Sequence, residues 1–324
     1  MRVMQIEIKD ARVPGKILRN VDDDIEELSL SGLGIENIQD IEGIDALTNL
    51  KELDLSNNFI SEISIIDSMV NLRKLVLDKN RIKEISGLDL LLQIEELSVS
   101  SNYIEKISGL DLLVNLKKLD LSKNRIIKVE GLSTLVNLEC LNLLDNDDIQ
   151  ELSDLDKLSK LKTLKLSSLE VKDYSILENL DRLEDLEINF TQVVIMNLKN
   201  MRLLSRLVLN AVELDLQGLD DLRYLDQVEL NGNLLKPISC DAPISTLSRN
   251  SFFGQSLQIN PANLSTLDVG GEDDLFLDAI PIEKTVFDSL VKAIEAKTNI
   301  LGLSSVNNLE VIRGTFFLPE DDDA

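Results

Sequence analysis

The sequence contains no histidine and no tryptophan, and only two cysteines, Cys140 and Cys240, among its 324 residues. Without imidazole there is no Ser–His–Asp or Cys–His catalysis and no histidine metal ligand. Two thiols cannot build a zinc knuckle or a disulfide framework, and they fit a reducing compartment. Basic residues are scarce as well. The 33 Lys and Arg face 58 Asp and Glu, for a net charge of −25. Such a balance argues against unaided binding to a nucleic-acid backbone, which needs clustered cations. No apolar run approaches the roughly 18 residues of a membrane span. Glu7 and Asp10 interrupt the N-terminus where a secretory signal would carry its apolar core. These absences predict a soluble cytoplasmic protein with no cofactor, no metal, no nucleic-acid partner and no membrane partner. The chain is nonetheless 44% hydrophobic, a normal share for a folded protein, and its length suits one to three domains.

What fills the sequence is a repeat. Leu50-Lys-Glu-Leu53-Asp-Leu55-Ser-Asn-Asn58-Phe-Ile60 returns as Leu72 to Ile82, Ile94 to Ile104 and Leu116 to Ile126, each start 22 residues after the last. Further units begin at Leu138, Leu161, Leu183, Leu204 and Leu225, and an earlier one at Ile25, making ten. The alternation Leu53-x-Leu55 predicts a short strand with both leucines inward. The asparagine at position nine (Asn58, Asn80, Asn102, Asn124, Asn146) turns the chain off the strand, and its amide can satisfy backbone groups in a dry bend. Gly87-Leu88, Gly109-Leu110 and Gly131-Leu132, again 22 apart, mark a return with room for a brief helical turn. One unit cannot close its own core, so neighbours must stack. From Leu161 onward the pattern loosens: position nine holds Leu169, Thr191 and Val212 before Asn233 restores it. This reads as a drifted ladder with apolar substitutes, or as a change of curvature.

The pattern Leu-x-x-Leu-x-Leu-x-x-Asn-x-Ile resembles the leucine-rich repeats of the protein phosphatase 1 regulatory subunit class, and is similar to internalin-type repeats, over residues 21–236. The resemblance implies an α/β solenoid: a leucine-rich-repeat horseshoe with a parallel concave sheet and short convex helical turns. It also implies partner binding on the concave sheet, without catalysis. In the phosphatase regulator that face mixes acidic and aromatic residues; here only the acidic part is present.

Composition shifts near Pro237, with five of six prolines and six of eight phenylalanines at or beyond it. Residues 237–324 hold 5 basic and 14 acidic residues, net 5 − 14 = −9. Val286, Phe287, Leu290, Val291 and Ile294 fit one helical face, and 309–318 reads as strand. The expected organisation is an N-terminal cap (1–20), the solenoid (21–236), and a C-terminal α+β cap or small domain (237–324) with an acidic tail at 320–323.

Strand positions three, five and seven point away from the core and form a grid. Nine steps of about 4.8 Å span about 43 Å, enough to hold a globular partner. Glu52, Asp54, Asp78, Glu96, Asp120, Asn142, Asp185, Glu187 and Glu229 would form the polar frame, steering a basic protein by long-range attraction. Cys140 lies on this face, where surrounding acids would disfavour a thiolate, and Cys240-Asp241 only faintly resembles the Cys-x-Asp element of bacterial leucine-rich-repeat ubiquitin ligases. Asp22-Asp23-Asp24, Asp145 to Asp148 and Glu272-Asp273-Asp274 lack EF-hand spacing and read as solvated turns. The sequence therefore points to a non-enzymatic adaptor or regulatory subunit, monomeric when free, that binds another protein on an acidic concave sheet. The alternatives are a dedicated inhibitor or immunity protein masking a basic nuclease or toxin and, more remotely, an enzyme activity in the C-terminal segment.

Overall fold

The computed structural model describes residues 3–12, 15–63, 69–168, 170–171 and 174–234, and the strands Ile238–Cys240, Thr246–Ser248, Leu257–Ile259 and Thr266–Asp268. It divides into two compact units, Met1–Val171 and Lys172–Ala324.

The first unit opens with an antiparallel pair, Val3–Lys9 against Lys16–Asp22, whose first strand also pairs with Ile41–Glu42. Ile6 and Ile8 are fully buried, so one edge of this pair closes over the first coil. Seven parallel strands follow: Glu27–Ser29, Glu52–Asp54, Lys74–Val76, Glu96–Ser98, Lys118–Asp120, Cys140–Leu143 and Thr163–Ser167. Register is in phase throughout. Leu28, Leu53, Leu75, Leu97, Leu119, Leu141 and Leu164 lie side by side across the sheet. Every other structural position repeats likewise: Ile60, Ile82, Ile104 and Ile126 are buried, as are Leu88, Leu110 and Leu132. With few aromatics to hand, the core of this unit is stacked aliphatic ladders. Each leucine withdrawn from water contributes roughly 1.5–3 kcal/mol.

The asparagine ladder does more than hold each bend, because it also joins coils. Asn102 Nδ2 donates to the carbonyls of Val99 and Ser100 in its own coil and of Leu77 in the coil before, at 3.0, 3.2 and 3.0 Å. Its Oδ1 accepts the Ile82 N–H at 3.0 Å. Asn58, Asn80, Asn124 and Asn146 repeat this pattern. The ladder does not end at Asn146 for want of a polar group. Leu169 lies outside the described residues, but Ser168 beside it is fully buried. Its hydroxyl donates to the Ile149 carbonyl and accepts the Val171 N–H. A second, exposed amide ladder precedes the strands: Asn71, Asn115 and Asn137 donate to Thr48, Leu92 and Val114 carbonyls one coil back. Its signal, an Asn-Leu pair every 22 residues or multiples of 22, stands in the sequence unused.

The return segments carry less helix than expected. Among the described residues there is no α-helix, only 3-10 turns such as Ile38–Asp40, Ile44–Ala46 and Leu155–Lys157. The central coils return through β-turns, with Leu91 and Leu113 N–H groups bonded to Leu88 and Leu110 carbonyls. Gly109 sits at φ +69°, and a Cβ there would lie 2.2 Å from the Ile85 carbonyl oxygen. The glycine thus serves both the left-handed turn and the close approach of two coils. Asp154 takes the same left-handed role at φ 59°. Its carboxylate accepts the Gly131 and Leu132 N–H groups.

The second unit is built from longer strands, Asp185–Asn197, Arg206–Gln217 and Gln227–Leu234, paired in parallel. Here the drifted position nine has a structural consequence. The register shifts between Ile188 and Thr191 and again between Asn210 and Glu213, and pairing then resumes. Without an asparagine to satisfy the bend, the backbone satisfies itself on the next strand instead of turning away. Val212 is 53% exposed, so it is not a buried apolar stand-in. Tyr174 is fully buried in this unit. Parallel pairing continues past residue 236. Thr246–Ser248 joins Gln227–Leu234 and then Thr266–Asp268, and Ile238–Cys240 pairs with Leu257–Ile259. The helix anticipated at 286–294, the strand at 309–318, Glu272-Asp273-Asp274 and the tail at 320–323 lie outside the described residues.

Candidate functional site

The exposed face of the first unit's sheet is assembled by period-two alternation. Leu53, Leu75, Leu97 and Leu119 point in, and their neighbours in each strand point out. At position three the outward column reads Glu27, Glu52, Lys74, Glu96, Lys118, Cys140, Thr163. Cross-strand ion pairs follow from that order. Lys74 reaches Glu52 at 3.5 Å and Lys118 reaches Glu96 at 2.6 Å. One column earlier, Glu95 is shared by Arg73 and Lys117 at 2.6 Å each, while Lys51 meets Glu26 and Lys162 meets Glu139. These exposed pairs set register and contribute about 0–1 kcal/mol each. Glu52 and Glu96, expected in the polar frame, are therefore already matched within the sheet.

Asp54, Asp78 and Asp120 differ, because serine and amide groups, and not ammonium groups, hold them. Ser56 N–H and Ser29 Oγ donate to Asp54, each at 2.9 Å. Ser98 Oγ and Ser100 N–H donate to Asp78 at 2.6 and 2.8 Å. Ser122 N–H and Oγ donate to Asp120 at 2.9 and 2.6 Å, and Asn142 Nδ2 at 3.0 Å. Burial is the strongest influence on Asp54 and acts upward. The hydrogen bonds from Ser56 and Ser29 and the charge of Lys74 together nevertheless bring its carboxyl below the usual range. Asp78 goes the other way. Burial pushes its carboxyl up, and the like charges of Asp120 and Asp54 add to the push against the hydrogen bonds of Ser98 and Ser100. Asp78 is thus the one of the three that feels the like charge of both others.

Beside Asp120, on the strands from Lys74–Val76 to Thr163–Ser167, lies a depression of about 290 Å³ lined by Lys74, Val76, Lys118, Cys140, Asn142 and Lys165, with Glu96 and Asp120 at its wall. Cys140 is half-buried, and its strand neighbours are Lys118 and Thr163. The ground around the thiol is accordingly mixed in charge and not uniformly acidic as anticipated. In the second unit, Arg206 binds both Asp185 and Glu187, at 2.8 and 3.2 Å, and Asn189 donates to Glu187. These two acids form a half-buried cluster around a guanidinium. Glu229 lies opposite Val208 on the adjacent strand. The arginine clamp was legible, since Arg206 and Asp185 share position three of consecutive units, but charge counting alone passes over it.

A family model described as Leucine Rich repeats (2 copies) matches residues 24–68 and 114–157. Among solved structures, an internalin, InlF, from Listeria monocytogenes is 20% identical with a TM-score of 0.58, over 78% of this chain and 91% of that one. A leucine-rich-repeat protein of Leptospira interrogans is 21% identical with a TM-score of 0.61, over 83% and 76%. The leucine-rich repeat domain of APL1 is 16% identical with a TM-score of 0.57, over 84% and 78%. No curated protein matches the sequence significantly. One of these neighbours is an internalin, and nothing in the likeness speaks for the phosphatase-regulator class in particular. Proteins of this architecture are in general protein-interaction scaffolds, typically without catalysis of their own. The chain carries leucine-rich repeats and has the leucine-rich-repeat fold.

Proposed function

We propose that this protein is a non-enzymatic binding scaffold, an adaptor or regulatory subunit, that takes a cationic segment of a partner protein on the exposed sheet face of its first unit. The observation that carries this is the Asp54–Asp78–Asp120 cluster. Asp78, half-buried, has its carboxyl pushed upward by burial and by the like charges of Asp120 and Asp54, on the surface where this architecture commonly receives partners. Electrostatics unfavourable to the free protein become favourable once a lysine or arginine enters. The net charge of −25 gives a second reading, a dedicated inhibitor masking a basic protein. The two separate on whether the bound partner keeps its activity.

The test neutralises the cluster without changing its shape. D54N/D78N/D120N should weaken capture of the natural partner from native lysate at least tenfold, while the paired acids changed as E52Q/E96Q have little effect. Rising salt should slow association, since the field reaches only about 8 Å at physiological ionic strength. Retained capture by the triple variant, with loss in the paired variant, would move the site off the cluster.

The same cluster has a stability signature. Because the folded pKa of Asp78 lies above its unfolded value, folding favours the protonated acid. The stabilisation is complete below the unfolded pKa and is lost as pH rises through the folded one. Asp78→Asn keeps an oxygen for Ser98 and Ser100 and removes the charge. It should raise stability at pH 7 by roughly 0.5 kcal/mol after solvent screening, with the gain shrinking toward pH 4 in urea melts. A variant no more stable at pH 7 would show that the charge is not strained.

A further inference from the structure

The edge where the first unit's strands turn into the core carries a different pattern. Position ten of four successive units reads Phe59, Arg81, Tyr103, Arg125, a ring and a guanidinium in alternation every 22 residues. Arg81 Cζ lies 4.3 Å from the Phe59 ring centroid, and Arg125 Cζ lies 4.8 Å from that of Tyr103. Position eight adds Lys79 and Lys123, both left-handed at φ 54° and 55°, and Lys83 follows two residues beyond Arg81. All five cations are exposed. In neighbouring columns of this acid-rich chain, cations are matched: Arg73 and Lys117 to Glu95, Lys74 to Glu52, Lys118 to Glu96. None of these five has an ion pair among the described residues.

Each guanidinium rests its face on a ring, which fixes it while leaving its N–H edge open to a carboxylate fork. The two cationic groups, Lys79–Arg81–Lys83 and Lys123–Arg125, are two coils apart, roughly 10 Å at strand spacing. An extended peptide advances about 3.3 Å per residue, so three residues bridge that gap. We propose that this edge is a second interaction surface, for an extended acidic segment of a partner protein bearing carboxylates at i and i+3. One carboxylate would sit on each cationic group. Nucleic acid fits less well. Each ring already carries a guanidinium where a base would stack. Exposed Glu84 and Glu105 lie in the stretch between the two groups and would oppose a continuous run of phosphates. The surface is separate from the aspartate cluster and does not rest on the function proposed for it.

The experiment measures fluorescence anisotropy of a labelled peptide, GSEAAESG, on the full-length protein at low salt. Saturable binding is expected despite the protein's net negative charge. The glutamine peptide GSQAAQSG, and R81Q/R125Q with an unchanged circular-dichroism spectrum, should each bind at least tenfold more weakly. Adjacent glutamates in GSAEEASG should cost at least threefold. R81K/R125K, which keeps charge but loses the fork, should fall between wild type and R81Q/R125Q. D54N/D78N/D120N should bind no more weakly than wild type. Equal binding of the glutamine peptide, full binding by R81Q/R125Q, or no binding of GSEAAESG would each overturn the proposal. So would an eight-nucleotide oligothymidylate that binds more tightly than the peptide and is lost in the same arginine variant.

Discussion

Asn102→Ala is expected to lower the unfolding free energy by about 2–3 kcal/mol. The hydrogen-bond map sets this size. Leu77 C=O accepts from Asn80 as well as Asn102, and Val99 C=O accepts from Asn124 as well as Asn102. Removing one amide leaves each carbonyl a remaining donor. Ile82 N–H, by contrast, is buried and loses its acceptor outright. Ser100 C=O likewise loses Asn102 and keeps Lys79 N–H, so the loss is one orphaned donor, three weakened acceptors and a small cavity. Asn102→Ser, which restores a hydroxyl of shorter reach, should recover only part of it. Urea denaturation with the slope held in common decides the matter, and an unshifted midpoint would mean that the ladder follows the fold without supporting it.

The ladder also shows what sequence can carry. An in-phase 22-residue period makes strand, register and buried ladder legible together, because each copy repeats the same test of the same pattern. The asparagine's local role was legible for that reason. Its reach into the preceding coil was not, because one repeat says nothing about which backbone group its neighbour presents. Ser168 is instructive in the same way: it stands one residue before the expected position, so a column search passes it while its hydroxyl does the work. Where the column fails altogether, the long strands from Asp185 and Arg206 appear, a tertiary choice that the local pattern could not show. The candidate face was legible as a set of outward positions, but not as chemistry. Sign alternation between Glu52, Lys74, Glu96 and Lys118 turns two of the eight expected acids, Glu52 and Glu96, into ion pairs. Asp54, Asp78 and Asp120, similar by composition, are set apart only by having serines for partners.

A sharper test of the ladder exchanges one atom type at its buried end. Asn146 is fully buried. Its Nδ2 faces the carbonyls of Leu121, Leu143 and Leu144 at 3.0, 3.1 and 3.3 Å, and its Oδ1 accepts Ile126 N–H at 3.1 Å. Asn146→Asp keeps the shape, so no cavity forms, but sets a carboxylate oxygen against three carbonyl oxygens. The fold can hold that side chain only as the neutral acid, which donates one hydrogen bond in place of the amide's contacts. Keeping the proton on at pH 7, against an unfolded pKa near 3.9, costs about 4 kcal/mol. The folded pKa is then raised, so the variant's stability is greatest below the unfolded pKa and falls as pH rises. Each unit of acidification between about pH 7 and pH 4 should return about 1.4 kcal/mol, while Asn102→Ala, which adds no titrating group, should show a deficit nearly flat with pH. A flat profile for Asn146→Asp would mean that water reaches the bend, and with it the reason for an amide in every coil would fall.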